Sequence, residues 1–402
     1  MRTNPVVERL LDEQTLLHPV PEDVPSYLDL IRYIERMHGR TDLPAPRSLE
    51  HRIGGFVGAP RHLVFFLIDG LGLNVSPHFP RGGFFERTFA CELRALFPST
   101  TANVLTATTT ARWPAENGIT GWWTHLPNRG RTVAPLPLVD RETDRSAREL
   151  GIEPGDVFPA KPGAAPETGT RVHVVPEELR RGEFTSWTGS DSHIAGYSDA
   201  GEIGRLILEA PERSQSGSYT SVYIPDVDTL SHTHGYDSPE VGALIAKLDR
   251  LLEDISVGLP SETRLIVTAD HGQVCIPPDR HLCVYEDDPL LEFLDTPPSG
   301  EATVPLFHVS RGRHEEFRTW FEASRFGNWF ELLSTDHALY LGLYGQGAIS
   351  ERMKQRLGTF TGIASEPVLL DYVPTGRKPL EHLGSHGGLR PQEMRLGLFV
   401  HP

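Results

Sequence analysis

The apolar positions of this chain fall into two rhythms. In one, they run without interruption for a few residues and stop at an acid. HLVFFLID at 62–69, SYTSVYIPD at 218–226 and TRLIVTAD at 263–270 all have this form. Such runs predict strands buried on both faces, as in a parallel sheet. In the other rhythm, apolar residues recur every three or four positions. Val241, Leu244, Ile245, Leu248, Leu251, Leu252 and Ile255 mark one face of a long helix. Strand, helix and strand in succession predict a βαβ unit. A final strand is expected at 396–400. The predicted fold class is α/β: a mostly parallel central sheet with helices on both faces.

The remaining segments are read more coarsely. Tyr27, Leu28, Leu30, Ile31 and Ile34 have helical spacing, which makes residues 1–60 a helical N-terminal extension. Pro98 and Ser99 introduce a helix over 101–111. Residues 112–217 are rich in Pro and Gly and offer one strand at 171–175 and one helix at 200–208. Residues 276–375 interrupt the rhythm with Pro clusters and the aromatics Phe317, Trp320, Phe321, Phe326, Trp329 and Phe330. They are expected to form an inserted cap or subdomain. The catalytic core is then 61–275 together with 376–402.

Composition narrows the choice of partners. The chain has 402 residues and a formal charge of −16. An acidic surface repels phosphate backbones, so no nucleic acid polymer is expected as partner. No apolar stretch reaches the roughly 18 residues of a membrane span. Glu8, Asp12 and Glu13 occupy the place where a secretion signal needs an apolar run. The three cysteines, Cys91, Cys275 and Cys283, match no disulfide or zinc-ribbon spacing and read as reduced thiols. A cytoplasmic enzyme is expected. The sequence does not fix its oligomeric state.

The acids that end the strands carry the chemistry. In open α/β sheets, ligands bind beyond the carboxyl ends of the strands. Asp69, Asp228 and Asp270 lie at or just past such ends. His271 follows Asp270 directly, placing a hard oxygen and an imidazole at one rim. Asp228 and His232 stand four apart, which aligns them on one helical face; His234 and Asp226 are their competitors. His386 sits among the glycines of GSHGG at 384–388. Three Asp and three His suffice to hold two divalent cations. FPSTTA at 97–102 supplies hydroxyls at Ser99, Thr100 and Thr101, at a turn entering a helix where backbone N–H groups meet an anion. Each fragment alone has a plainer reading: a capping Asp or Thr, or a solvated His. Their joint occurrence is what points to metal chemistry.

These frames, in this order, resemble the alkaline phosphatase superfamily, and within it the nucleotide pyrophosphatase/phosphodiesterase-like branch. The resemblance covers roughly 62–120, 218–275 and 380–402. It implies one metal on Asp228, His232 and His386, and another on Asp69, Asp270, His271 and the Thr101 oxygen. The family's P-S-x-T frame selects Thr101 as nucleophile over Thr100, and its H-x-x-G frame selects His232 over His234. Two departures stand out. The family's His-Gly-Ile reads Asn117-Gly118-Ile119 here. The Asn that holds a phosphoryl oxygen in the phosphodiesterases has no evident counterpart, since Trp122 and Trp123 occupy its neighbourhood. Asn117 and Asn103 are the substitutes on offer. A sulfatase is a poor match, because the C/S-x-P-x-R frame is missing. Cofactor-independent phosphoglycerate mutases resemble the chain less around the nucleophile.

The implied reaction is metal-dependent hydrolysis of a phosphate ester through a phospho-threonine. Three His with three Asp favour zinc over magnesium, with manganese or mixed occupancy as alternatives. The substrate is a small-molecule phosphate ester. Trp113, Trp122 and Trp123 follow the nucleophile helix and offer stacking surfaces, with Trp122 and Trp123 counted with Asn117 as substrate contacts. A phosphodiester or nucleotide pyrophosphate is the favoured substrate. A phosphomonoesterase, a phosphonate hydrolase and a phosphotransferase are alternatives on the same site. A protein that keeps the metals only as structural staples is a further one.

Overall fold

A computed structural model of the protein describes residues 4–159, 169–189, 193–212 and 216–402. The seven-stranded main sheet contains β1 (His62–Ile68), β2 (Phe89–Arg94), β3 (Thr170–Pro176), β4 (His193–Tyr197), β5 (Ser218–Ile224), β6 (Thr263–Thr268) and β7 (Arg395–His401). Their spatial order is β2-β7-β6-β1-β5-β3-β4. The continuous apolar run of β1 is buried at every position, and β1 lies between two parallel neighbours, β5 and β6. β3 pairs parallel with β4 and β5. The sheet is therefore mostly parallel, as its uninterrupted runs predict. The expected last strand is present, but it runs antiparallel to β6 and β2. An apolar run does not encode direction. β2 and β4, at the two edges, carry mixed exposure and leave no clear sequence signal.

The helix Pro239–Gly258 links β5 to β6. Ser238 caps it by accepting the Val241 N–H, and Pro239 takes the first-turn position that needs no N–H donor. Its stripe of Val241, Ile245, Leu248, Leu252 and Ile255 is buried in the same core as β1, β5 and β6. Each such side chain contributes about 1.5–3 kcal/mol on burial.

Residues 4–60 hold three helices, Pro5–Asp12, Tyr27–Met37 and Ser48–Val57. Tyr27, Leu30, Ile31, Ile34 and Ile53 belong to the core of the main sheet. Among the described residues of 112–217, the structure adds a small antiparallel sheet of Thr124–Leu126, Arg131–Ala134 and Val139–Asp140.

Within 276–375, the strands Leu294–Glu301, Val304–Val309, Phe360–Ala364 and Phe330–Ser334 form a separate four-stranded sheet. Phe317, Phe321, Phe326 and Phe330 pack on it as a second core. Val304, Leu306, Leu333 and Ile363 instead join the main core, so this sheet is packed onto the main sheet's layer. No helix among the described residues is long and apolar enough to cross a membrane.

Candidate metal centre and nucleophile

The carboxyl ends of β1, β5 and β6 are locked in register. Asp69 N–H donates to the Ile224 carbonyl at 2.9 Å, and Asp228 N–H to the Asp69 carbonyl at 3.0 Å. Gly70 N–H donates to Asp270 Oδ1 at 3.0 Å. Gly70 has φ +75°, and a Cβ there would lie 2.8 Å from Asp228 Cα. The turn after β1 therefore needs glycine for its conformation and for the close approach of two backbones.

Thr101 opens the helix Thr101–Thr110. Thr100 is its N-cap, without a side-chain cap hydrogen bond. The Thr101 hydroxyl donates to Asp69 Oδ2 at 3.2 Å and stands 3.3 Å from His271 Nε2. Ser99 points elsewhere. It bonds the Gly388 carbonyl and accepts the Gly387 N–H, which ties the late glycine loop to the turn before Thr101.

Two clusters share His271. Ligand atoms of Asp69, Asp270 and His271 all lie within 4.8 Å of one another, and so do those of Asp228, His271 and His386. His232 Nε2 is 3.3 Å from Asp228 Oδ2, and His386 Nε2 is 3.6 Å from Asp228 Oδ1. The His271 and His386 rings stack at 3.7 Å between centroids. His234 and Asp226 are exposed.

Each of the three imidazoles has its Nδ1 on a backbone carbonyl: His232 on Gly384 at 2.7 Å, His271 on Gly272 at 3.2 Å and His386 on Ser99 at 3.0 Å. Nδ1 donates in all three, which turns Nε2, the nitrogen a cation would take, toward the carboxylates.

Electrostatics make this cluster costly without cations. Burial raises the Asp69 carboxyl well above its ordinary range, and the neighbouring Asp270 and Asp228 raise it further. Burial pushes Asp228 upward as well, yet the adjacent His232, itself raised by Asp228, outweighs it and holds Asp228 far below. Burial, then His271, holds His386 in the neutral form. Asp69 Oδ1 and Asp270 Oδ2 are buried without a hydrogen-bond partner. Orphaned carboxylate oxygens facing imidazole lone pairs are the donor set that divalent cations satisfy. The residues fit such ions.

Several contacts here were not foreseen. Tyr223 donates its phenol to Asp69 Oδ2. Gln273 donates to Asp228 Oδ1. The His382 ring lies 4.2 Å from that of His232. Glu301 is buried beside the cluster and accepts the Trp122 N–H; burial raises its carboxyl to about 7. Tyr223 and Gln273 sit one residue before the end of β5 and two after His271. Proximity to the motifs was the only signal available.

The expected substrate contacts divide. Trp122 is 38% exposed and lines both cavities that open at Thr101. Trp123 lines one of them. Asn117 lines neither. Its amide oxygen accepts the Thr110 hydroxyl at 3.0 Å, and its amide nitrogen donates to the Arg112 carbonyl at 3.0 Å. With both ends engaged it closes the end of the helix Thr101–Thr110, which corrects the expectation of a substrate contact. Asn103 is likewise buried, donating to the Pro98 carbonyl. Trp113 is 2% exposed and serves packing.

A mostly parallel sheet that presents acids, imidazoles and a helix-opening threonine at one rim defines the phosphate-ester hydrolases of the alkaline phosphatase superfamily. The chain matches the type I phosphodiesterase / nucleotide pyrophosphatase family over residues 63–389 and belongs to it. Solved structures share the fold. Murine ectonucleotide pyrophosphatase/phosphodiesterase 5 is 15% identical, with a TM-score of 0.60 over 85% of this chain and 88% of that one. The human counterpart is 16% identical, with a TM-score of 0.61 over 85% and 87%. Phosphonoacetate hydrolase from Sinorhizobium meliloti, solved with phosphonoacetate, is 16% identical, with a TM-score of 0.54 over 85% and 90%. A sequence search of curated proteins returned no match.

Proposed function

We propose that this hydrolase cleaves phosphodiesters or nucleotide pyrophosphates through a phospho-threonine formed on Thr101. The observation that carries the reading is the setting of the Thr101 hydroxyl. Two cavities, of about 700 and 410 Å³, meet there. The residues common to both walls are Thr101, Trp122 and Asp228, and none is cationic. A diester has two substituents to place and one phosphoryl charge to balance; a monoester has one substituent and two charges. The paired cavities, with no cationic side chain on their seam, suit the diester.

Asp69, Asp270 and His271 would hold one divalent cation and Asp228, His232 and His386 a second, the donor set favouring zinc. Such a pair, when bound, supplies Lewis-acid charge to the attacking and leaving oxygens of an in-line displacement. The chain does the positioning. Asp69 Oδ2 holds the Thr101 hydroxyl, and Tyr223 fixes Asp69. Thr101 Oγ1 gives up its proton to solvent and forms the new bond to phosphorus, while the bond from phosphorus to the leaving oxygen breaks and that oxygen departs toward the His232 and His386 side. Water then cleaves the phospho-threonine and restores the hydroxyl. An inactive threonine-to-alanine form of the murine protein was solved with AMP, which supports a nucleotide-type ester and a threonine nucleophile. All three cysteines are free, which suits a reducing, cytoplasmic setting.

The likeness to phosphonoacetate hydrolase supports a second reading, phosphonate hydrolysis on the same centre. The test is direct. Zinc-loaded enzyme is assayed on bis(4-nitrophenyl) phosphate, 4-nitrophenyl phosphate and phosphonoacetate. A kcat/KM for the diester at least about tenfold above the others is expected. Dominant turnover of the monoester or the phosphonate overturns the diesterase reading.

A further inference from the structure

Arg141 is a buried cation that the mechanism above does not use. It is 3% exposed and lines the smaller cavity together with His232, His386 and Thr101. Its guanidinium lies 4.7 Å from the Tyr372 ring centroid and 5.9 Å from that of Trp123. Nη1 donates to the Pro298 carbonyl, and Nε reaches Glu142 Oε1 at 3.3 Å. Nη2 is buried and has no hydrogen-bond partner. An unmade donor on a buried charge costs about 1–3 kcal/mol or more, so its retention calls for an acceptor.

Among the described residues none provides that acceptor. The Glu142 side chain is 37% exposed, and its one contact to Arg141 is to Nε. Three acids line the cavity, Asp228, Glu301 and Asp371. Asp228 is engaged by Gln273 and by His232 Nε2, 3.3 Å away. Glu301 is engaged by the Trp122 N–H and Asp371 by the Leu380 N–H. Burial favours the protonated form of both.

Position determines which half of a substrate meets Arg141. The larger cavity is lined by Asp69, on which Thr101 leans; the smaller one is lined by His232 and His386 instead. In an in-line displacement the leaving group departs opposite the nucleophile, which is into the smaller cavity. We propose that Arg141 Nη2 binds an oxyanion carried by the leaving half of the substrate, a carboxylate or a further phosphate. The inference rests on the diesterase reading and deepens it: the preferred esters have an anionic leaving group.

The test uses two methyl aryl phosphodiesters that differ only in a carboxylate on the nitrophenol leaving group, with ADP as the phosphate arm. Wild-type, zinc-loaded enzyme should favour the carboxylated ester or ADP by about tenfold or more in kcat/KM over the plain ester. Arg141→Gln should bring that ratio close to one, and Arg141→Lys should restore part of it. A preference for the carboxylated ester alone identifies the oxyanion as carboxylate, and for ADP alone as phosphate. Calorimetry with wild-type protein guards against a variant that fails to fold. The carboxylated nitrophenol should bind at least about tenfold more tightly than 4-nitrophenol. No preference in the wild type, or a preference kept in Arg141→Gln, overturns the assignment. If the wild type turns over 4-nitrophenyl phosphate but neither diester, the diesterase reading itself fails.

Discussion

The Thr101 hydroxyl donates to Asp69 Oδ2 at 3.2 Å, and Tyr223 donates to that same oxygen. Two donors on one carboxylate oxygen fix the threonine rotamer and leave Asp69 Oδ1 free of partners. If Thr101 is the nucleophile, Thr101→Ala should lose about a thousandfold or more in kcat on a chromogenic diester. Its metal content and melting temperature should remain those of the wild type. Thr101→Ser, which keeps the oxygen, should retain most of the rate. Turnover by Thr101→Ala above a tenth of wild type would remove Thr101 from the mechanism.

Gly70 joins the first acid to the second. Its φ of +75° and the 2.8 Å from a built Cβ to Asp228 Cα make alanine doubly unfavourable. Gly70→Ala is expected to cost about 2 kcal/mol or more in unfolding free energy, measured by urea titration. Gly82, at φ +67° with nothing within 4 Å of its built Cβ, is the control; Gly82→Ala should cost only about 1 kcal/mol. Equal losses in the two variants would mean that the Asp228 contact does not matter.

Acid should loosen the packing of the strand Thr124–Leu126 on the four-stranded sheet. His125 and His308 face each other at 4.8 Å between ring centroids. Burial, then Arg141 and Arg356, lowers His125 to about 4; burial, then His125 and Arg141, lowers His308 to about 3. Both are neutral in the fold, whereas the unfolded chain takes up protons as pH drops through the ordinary histidine value of 6.5. Stability conferred by the neutral pair is whole above pH 6.5 and declines as pH falls toward 4. Chemical denaturation at stepped pH should show a loss of order 3 kcal/mol across that window. His308→Gln should flatten the slope. An unchanged slope would place the acid sensitivity elsewhere.

Stripping the metals should expose the repulsion among Asp69, Asp228 and Asp270. Chelator-treated protein is expected to melt several degrees below the loaded form, and zinc at about 100 times its Kd should restore about 2.7 kcal/mol. In the stripped protein Asp270→Asn should be more stable than wild type, because after burial Asp270 does most to raise Asp69. A stripped wild type as stable as the loaded one would argue that no cation is held there.

Much of this layout was legible in the sequence because its signals are local. An apolar run ending in an acid marks a buried strand and its rim at once, which is how Asp69 and Asp270 declare themselves. Asp228 and His232 are a turn apart on one helix, so their spacing already aligns them. What escaped is set by distant contacts. The antiparallel sense of β7, the carbonyls of Gly384, Gly272 and Ser99 beneath the imidazoles, and Glu301 arriving from the cap sheet leave no periodic trace. Asn117 misled for the same reason: its residue type suited a phosphoryl contact, but its side chain folds back onto Thr110 and Arg112.

Anomalous diffraction from crystals grown with zinc tests the central claim most directly. Two zinc peaks about 4 Å apart are expected, one among Asp69, Asp270, His271 and the Thr101 oxygen, the other among Asp228, His232 and His386. A single peak, or zinc bound away from Thr101, would contradict it.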